Sequence, residues 1–167
     1  MEVEIANYLA KISESELSAS GSRNIRAMFE IIDDIESIAD LCFHISNSIV
    51  RKKESKVAFS DKMTQKVLQM FDLIDAALAE MIKNLDSEYS DVNPSNAFDI
   101  ENKINKYRNQ LREEHLQNVK AGKYKYKTGV IYSELFLNSE RMGDYIINVT
   151  EAIESTKKLV TSKLTLS

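Results

Sequence analysis

The chain has 167 residues, of which 43% are hydrophobic and 29% charged, and a formal net charge of −4. This length and balance fit one folded domain and exclude an intrinsically disordered chain. The negative charge disfavours a general nucleic-acid binder, and a single cysteine, Cys42, excludes an internal disulfide and a multi-cysteine metal site. With one proline and four glycines, the sequence favours a few long helices over a sandwich or barrel.

The spacing of apolar residues predicts five helices and no strands. The first helix covers residues 2–17, and its apolar pattern begins directly after Met1. We expect Gly21 to end this region and Ser22 to cap the second helix, which continues to about residue 55. Ser60 is the predicted N-cap of the third helix.

The second half of the chain contains the clearest predicted loop, residues 87–96, which holds the only proline, Pro94. A fourth helix is predicted from about Ser95 to Lys120, and Gly122 is expected to end it. The fifth helix begins near residue 126, and its pattern fades beyond residue 159.

Two helices of the chain repeat one motif. Residues 32–40 align with residues 136–144 at an offset of 104, so that Glu36 falls on Glu140 and Asp40 on Asp144. A repeat that carries its charged residues with it indicates a duplicated unit. We therefore predict one domain over residues 1–167, with repeat one at about 1–55 and repeat two at about 59–160.

The repeated acids lie among apolar residues. With about 100° of rotation per residue, Asp40 lies about 40° from Glu36, inside an apolar stripe of the second helix. Glu140 and Asp144 lie in the same way beside Phe136 in the fifth helix. The pattern predicts that all four carboxylates point into the core.

Buried carboxylates need compensation, because each uncompensated ion costs several kcal/mol. One solution is a bound cation, held by these acids with Glu101 and the imidazole of His44; such ligands suit Mg²⁺, Mn²⁺, Ca²⁺ or iron. The other is pairing with arginine, in which case His44 is simply a polar residue at the helix edge. The available arginines are Arg26, Arg108, Arg112 and Arg141.

Three segments resemble the doubled signature of the PhoU family: DDIESIAD, NSERMGD and YIINVTEAI, at residues 33–40, 138–144 and 145–153. The resemblance implies an all-α antiparallel bundle of two three-helix units. The first unit lacks its first helix, and the second unit has all three. It also implies metal ligation by the motif residues, namely Glu36, Asp40, Glu140, Asp144, Glu101 and Asn148. The chain departs from the family pattern at Ser37, Leu41, Asn105 and Tyr145.

The early segment IANYLAKIS is most similar to the C-terminal PhoU-like domain of bacterial Na⁺/phosphate cotransporter-type proteins. That resemblance implies a non-enzymatic regulatory domain at the cytoplasmic face of the inner membrane, with the transmembrane phosphate-transport domain of the same protein as its partner. The alternatives are a free-standing PhoU-type phosphate-signalling adaptor and a structural dimerisation module without metal. A homodimer is expected because a missing helix would expose apolar surface.

Catalysis is not expected. Di-metal carboxylate enzymes need Glu-x-x-His pairs, but the residues three before His44 and His115 are Leu41 and Arg112. His115 is expected at a helix surface or interface. One basic stretch has two possible interpretations: a solvated connector, or a contact with phosphates or lipid headgroups. It consists of Lys120, Lys123, Lys125 and Lys127, with Tyr124 and Tyr126 between them.

Overall fold

The computed structural model describes the backbone of residues 2–13, 17–87, 92 and 94–164, with side chains as far as Thr156. Five helices and no strand occur in these residues, which confirms the predicted all-α class. The helices are α1 (Glu2–Ser13), α2 (Ala19–Glu54), α3 (Asp61–Asp86), α4 (Pro94–Lys120) and α5 (Tyr126–Leu164). None of these described helices combines the length and hydropathy that a membrane crossing requires.

The start of α2 differs from the prediction. Ser18 is the N-cap, and its hydroxyl accepts a hydrogen bond of 3.1 Å from the backbone N–H of Gly21. Gly21 therefore lies inside the first turn, and Ser22 donates to the carbonyl of Ser18 at 3.3 Å instead of capping. The hydroxyl of Ser18 satisfies a first-turn donor, which lets the helix begin before the glycine.

The first helix was predicted to residue 17, but α1 ends at Ser13; residues 14–16 lie outside the described part, and residue 17 is not helical. Three other helix ends agree with the sequence. Ser60 caps α3 by accepting a hydrogen bond of 3.3 Å from the N–H of Met63. Pro94 is the first residue of α4, where the missing N–H costs nothing. Gly122 follows α4 with a φ of +62°, a left-handed conformation that glycine adopts without steric cost. The fifth helix continues past the predicted end to Leu164.

The helix α5 is the centre of the molecule. It packs against α2, α3 and α4, while α3 and α4 also pack against each other. On the other side of α5 lies α2, which makes no close backbone contact with α3 or α4 among the described residues, and α1 packs only on α2. The helices α3, α4 and α5 thus form a three-helix bundle. The pair α1 and α2 packs on this bundle through the contact of α2 with α5.

The position of α5 explains its burial. Phe136 and Val149 of α5 are fully buried, together with Met70 of α3 and Leu111 of α4. At Gly143, an added Cβ would lie 3.1 Å from the Cδ1 of Ile104 in α4. The missing side chain therefore allows the close approach of α4 to α5 at this level.

The face of α2 that packs on α5 is not the predicted one. Ile38 and Leu41 are buried, whereas Glu36, Asp40 and Phe43 are exposed, Phe43 by 65%. The prediction that both acids point into the core is therefore wrong for α2. The helix is apolar on two faces, and the face that carries Glu36 and Phe43 is exposed among the described residues.

Candidate functional site

The middle of the α4–α5 interface contains a group of polar side chains, which we call the acid–arginine groove. It is formed by Glu101, Asn105 and Arg108 of α4 and by Glu140 and Asp144 of α5. The guanidinium of Arg108 donates a hydrogen bond to Oε1 of Glu140 and forms a salt bridge with it. Both side chains are largely buried, with 21% of Arg108 and 11% of Glu140 exposed.

Glu140 keeps the inward position that the sequence predicts. Burial raises the pKa of its carboxyl, the negative charge of Asp144 raises it further, and Arg108 opposes both effects. A buried carboxylate of this kind requires a cationic partner, because an uncompensated charge in a low dielectric is costly. Arg108 is that partner.

Asp144 lies one turn further along α5, and its side chain is exposed. The prediction that it points into the core is therefore wrong, and of the four repeated acids only Glu140 is buried. Partial desolvation raises the pKa of its carboxyl, and the positive charges of Arg108 and Arg141 lower it. Arg108 therefore acts electrostatically on both repeated acids of α5. The Nε of Arg108 is buried and has no hydrogen-bond partner within the described residues. The groove thus retains one unused donor beside two carboxyl groups.

Glu101 is held by its own helix. The side-chain amide of Asn105 donates a hydrogen bond of 2.9 Å to Oε1 of Glu101. The cavity lined by Glu101, Ile104 and Gly143 has a volume of only about 10 Å³. A single water needs at least that much space, so the cavity is too small for a hydrated cation.

The acids of repeat one do not join the groove. Glu36, Asp40 and His44 are exposed on α2. The negative charge of Asp40 is the main cause of the raised pKa of Glu36. These side chains lie away from the α2 residues that pack on α5, so solvent compensates their charges.

Another acid of α2, Asp34, contacts α5. Its Oδ1 accepts a hydrogen bond of 3.3 Å from the side-chain amide of Asn148, and burial raises its pKa. Asn148, expected as a metal ligand, instead connects two helices. The sequence contained a signal for this pair: Asp34 lies one turn before Ile38, on the face of α2 that is buried.

The described residues contain no group of three or more His, Cys, Asp or Glu side chains placed to hold a metal ion. For Glu140, the geometry favours charge compensation by an arginine, Arg108, over a bound cation. Arg108 supplies the positive charge that a cation would otherwise supply. The arrangement can fix α4 against α5 and respond to protonation of the acids.

Further interhelical contacts were not identified from the sequence. Ser48 donates to Glu134 at 3.1 Å, and Arg51 forms a salt bridge with the same carboxylate, which ties the end of α2 to the start of α5. The Asn148–Asp34 contact lies earlier in α2 and later in α5, so the two contacts show that α2 and α5 are antiparallel. Inside the bundle, the amide of Asn84 donates to the hydroxyl of Thr150 at 3.3 Å.

Searches among protein-family models, curated proteins and solved structures find no match to this chain. The function is therefore inferred from the helix arrangement, the repeated acids and the groove. Of the predicted site residues, the structure places Glu101, Glu140 and Asp144 at the α4–α5 interface. It leaves Glu36, Asp40 and His44 on the outer side of α2.

Proposed function

We propose that this chain is a PhoU-like, non-enzymatic regulatory module of Na⁺-dependent phosphate transport. The observation that carries the proposal is the packing of the two repeat helices, α2 and α5, along each other in antiparallel orientation. Each has its own helices beside it, α3 and α4 for α5 and α1 for α2. A duplicated three-helix unit that lacks its first helix would have this arrangement.

Within this function, the acid–arginine groove sets how firmly α4 is held against α5. The pair of Arg108 and Glu140 is largely withdrawn from solvent, so losing either partner leaves a poorly solvated charge. A partner surface that competes for Arg108 would therefore shift the packing of α4. We place this partner in the transmembrane phosphate-transport domain of the same protein, at the cytoplasmic face of the inner membrane.

The experiment measures the initial rate of Na⁺-dependent ³²P-phosphate uptake in cells of the source organism. Deleting this chain from the encoded protein is expected to change the rate at least threefold at high or low external phosphate. The variant Arg108→Met should change it in the same direction. Arg112→Met, an exposed arginine one turn along the same helix, is the matched control and should leave it unchanged. Uptake that is insensitive to the deletion at every phosphate concentration contradicts the proposal.

A metal-dependent form of this regulation makes a separate prediction. Calorimetric titration of Mg²⁺, Mn²⁺, Ca²⁺ or Fe²⁺ would give heats that disappear in the variant Glu140→Gln/Asp144→Asn. With Arg108 paired to Glu140, we expect equal heats for the wild type and this variant. Unequal heats would mean that a cation displaces the guanidinium, and would restore the metal hypothesis.

A further inference from the structure

A cleft of about 590 Å³ opens at the end of the bundle where α3 begins and α4 ends. Its volume lies in the range typical of sites for small organic ligands. The residues of the acid–arginine groove do not line it, so the cleft is a separate feature of the molecule. The basic stretch that the sequence left unassigned contributes to its wall through Lys123 and Tyr124.

The cleft is positively charged in a protein whose net charge is −4. Three lysines line it: Lys62 and Lys66, one turn apart on α3, and Lys123 from the α4–α5 connection. Glu114 is the only acid among the described lining residues, and its salt bridge with Lys66 leaves the cleft a surplus of two positive charges, those of Lys62 and Lys123. Burial and the charge of Lys62 lower the pKa of Lys66, so a bound anion would relieve an existing repulsion.

The wall that carries Lys123 is packed, not a free loop. The hydroxyl of Tyr124 lies 2.6 Å from Nδ1 of His115, and the two rings stack with their centroids 5.7 Å apart. An added Cβ at Gly129 would lie 3.0 Å from the ring of Tyr124. The bare glycine at the start of α5 therefore lets this aromatic pair pack closely, which anchors the neighbouring Lys123.

The cleft also provides groups suited to the two parts of an organic phosphate. Ser60, the N-cap of α3, and Thr128, in the first turn of α5, line it. Helix N-termini favour negative charge, which adds to the effect of the lysines. Met63 and Tyr124 supply apolar and aromatic surface. Orthophosphate alone would fill little of the volume.

We propose that this cleft binds a soluble organic phosphate of the nucleoside di- or triphosphate class. The phosphates contact Lys62 and Lys123, and the organic part lies against Met63 and Tyr124. The inference does not depend on the proposed role in phosphate transport, because it concerns different residues. It is tested on the purified chain, so either proposal can fail without the other.

The first measurement locates binding by NMR. The chain has two histidines, and only His115 lines the cleft, whereas His44 is exposed on α2. Adding ADP or ATP to the full chain should shift the imidazole signals of His115 in a saturable way and leave those of His44 unchanged. Shifts of both histidines, or of neither, overturn the proposal.

The second measurement compares affinities by calorimetry in low salt. The variant Lys62→Gln/Lys123→Gln should bind ATP at least tenfold more weakly than the wild type. The control Lys103→Gln/Lys106→Gln removes two exposed lysines of α4 outside the cleft and should bind normally. Orthophosphate and sulfate should bind more weakly than ATP. Equal affinity in both double variants, or binding only to phosphatidylglycerol vesicles and not to nucleotides, contradicts the proposal; the vesicle result would favour a membrane contact.

Discussion

At the scale of single residues, Arg108 decides what the repeated acids of α5 do. Its guanidinium bonds Glu140 and also acts on Asp144. A motif that the family resemblance associates with metal is thereby occupied by a side chain of the protein itself. The matching acids of α2, Glu36 and Asp40, are exposed to solvent and form no salt bridge within the described residues.

Substituting Arg108 should therefore destabilise the fold. Arg108→Met keeps an unbranched apolar stem, shorter than arginine, and leaves Glu140 largely buried without its partner. We expect a loss of about 1–3 kcal/mol in the free energy of unfolding at pH 7, measured by urea denaturation. The exposed control Arg112→Met should change stability by less than about 0.5 kcal/mol.

A second substitution separates charge from packing. In Arg108→Met/Glu140→Gln the buried carboxylate becomes a neutral amide, so at least half of the lost stability should return. If the double variant is as unstable as Arg108→Met alone, lost packing of the arginine is the cause, and the electrostatic account of the groove is wrong.

The pKa shifts in the groove predict a pH dependence of stability. The pKa values of Glu140 and Asp144 are raised above their ordinary 4.5 and 3.8. The folded chain therefore binds protons more tightly than the unfolded chain, and these groups make stability rise as the pH falls towards the ordinary values of the two acids. The lowered pKa of His115 acts in the opposite direction below pH 6.5.

The contribution of the two acids is isolated by comparison with Glu140→Gln/Asp144→Asn, which retains His115. Melting temperatures are measured for both proteins at pH 7.5 and pH 5.0. The wild type should gain stability relative to the variant at the lower pH. A difference between the two proteins that is independent of pH would contradict the predicted direction.

At the scale of helices, the caps decide where each element begins. Ser18 accepts a hydrogen bond from the N–H of Gly21, whereas Ser22 makes none of this kind. Ser18→Ala should therefore cost about 1 kcal/mol, and Ser22→Ala should cost little. Thermal unfolding followed by circular dichroism compares the two variants, and an equal or larger loss for Ser22→Ala would restore the cap that the sequence alone suggested.

The second helix shows that helical periodicity does not decide which of two apolar faces of a long helix is buried. Its buried face contains Ile38 and Leu41, and its exposed face contains Ile35, Phe43 and Val50. Both faces satisfy the spacing of an amphipathic helix. Position relative to α5 selects one of them, and with it Asp34 instead of Glu36 as the acid at the interface.

At the scale of the whole molecule, that exposed face of α2 predicts self-association. Ile35, Phe43, Ile49 and Val50 are each at least 43% exposed, and they follow one another along one side of the helix. Apolar surface of this kind is typical of an interface. We propose a homodimer through this face.

Light scattering coupled to size exclusion tests the dimer. The wild type should have the mass of two chains, and Phe43→Glu should have the mass of one. Leu116→Glu is the control, because Leu116 is an exposed apolar residue on α4, away from this face. A monomeric wild type at high concentration, or a dimer that survives Phe43→Glu, contradicts this interface.

The sequence by itself determined the helices, most of their ends and the duplication of the acid motif. These features depend on local rules: caps such as Ser60, the left-handed Gly122 and the scarcity of proline and glycine in the chain. It also identified Glu140 as an inward acid from its place in the apolar stripe, but the same reasoning was wrong for Glu36, Asp40 and Asp144, which are exposed. Arg108 was one of four arginines that could pair with the repeated acids, and no local sequence pattern distinguished it from the other three.

Only the tertiary structure decided which acids meet a partner. Helical periodicity describes how residues are distributed around their own axis, but not which neighbour lies against each side. The two segments share the positions of their acids, yet α5 is packed on three helices and α2 on α5 and the short α1. Matching acids therefore acquire different environments, and Glu140 is bound by Arg108 while Glu36 is solvated.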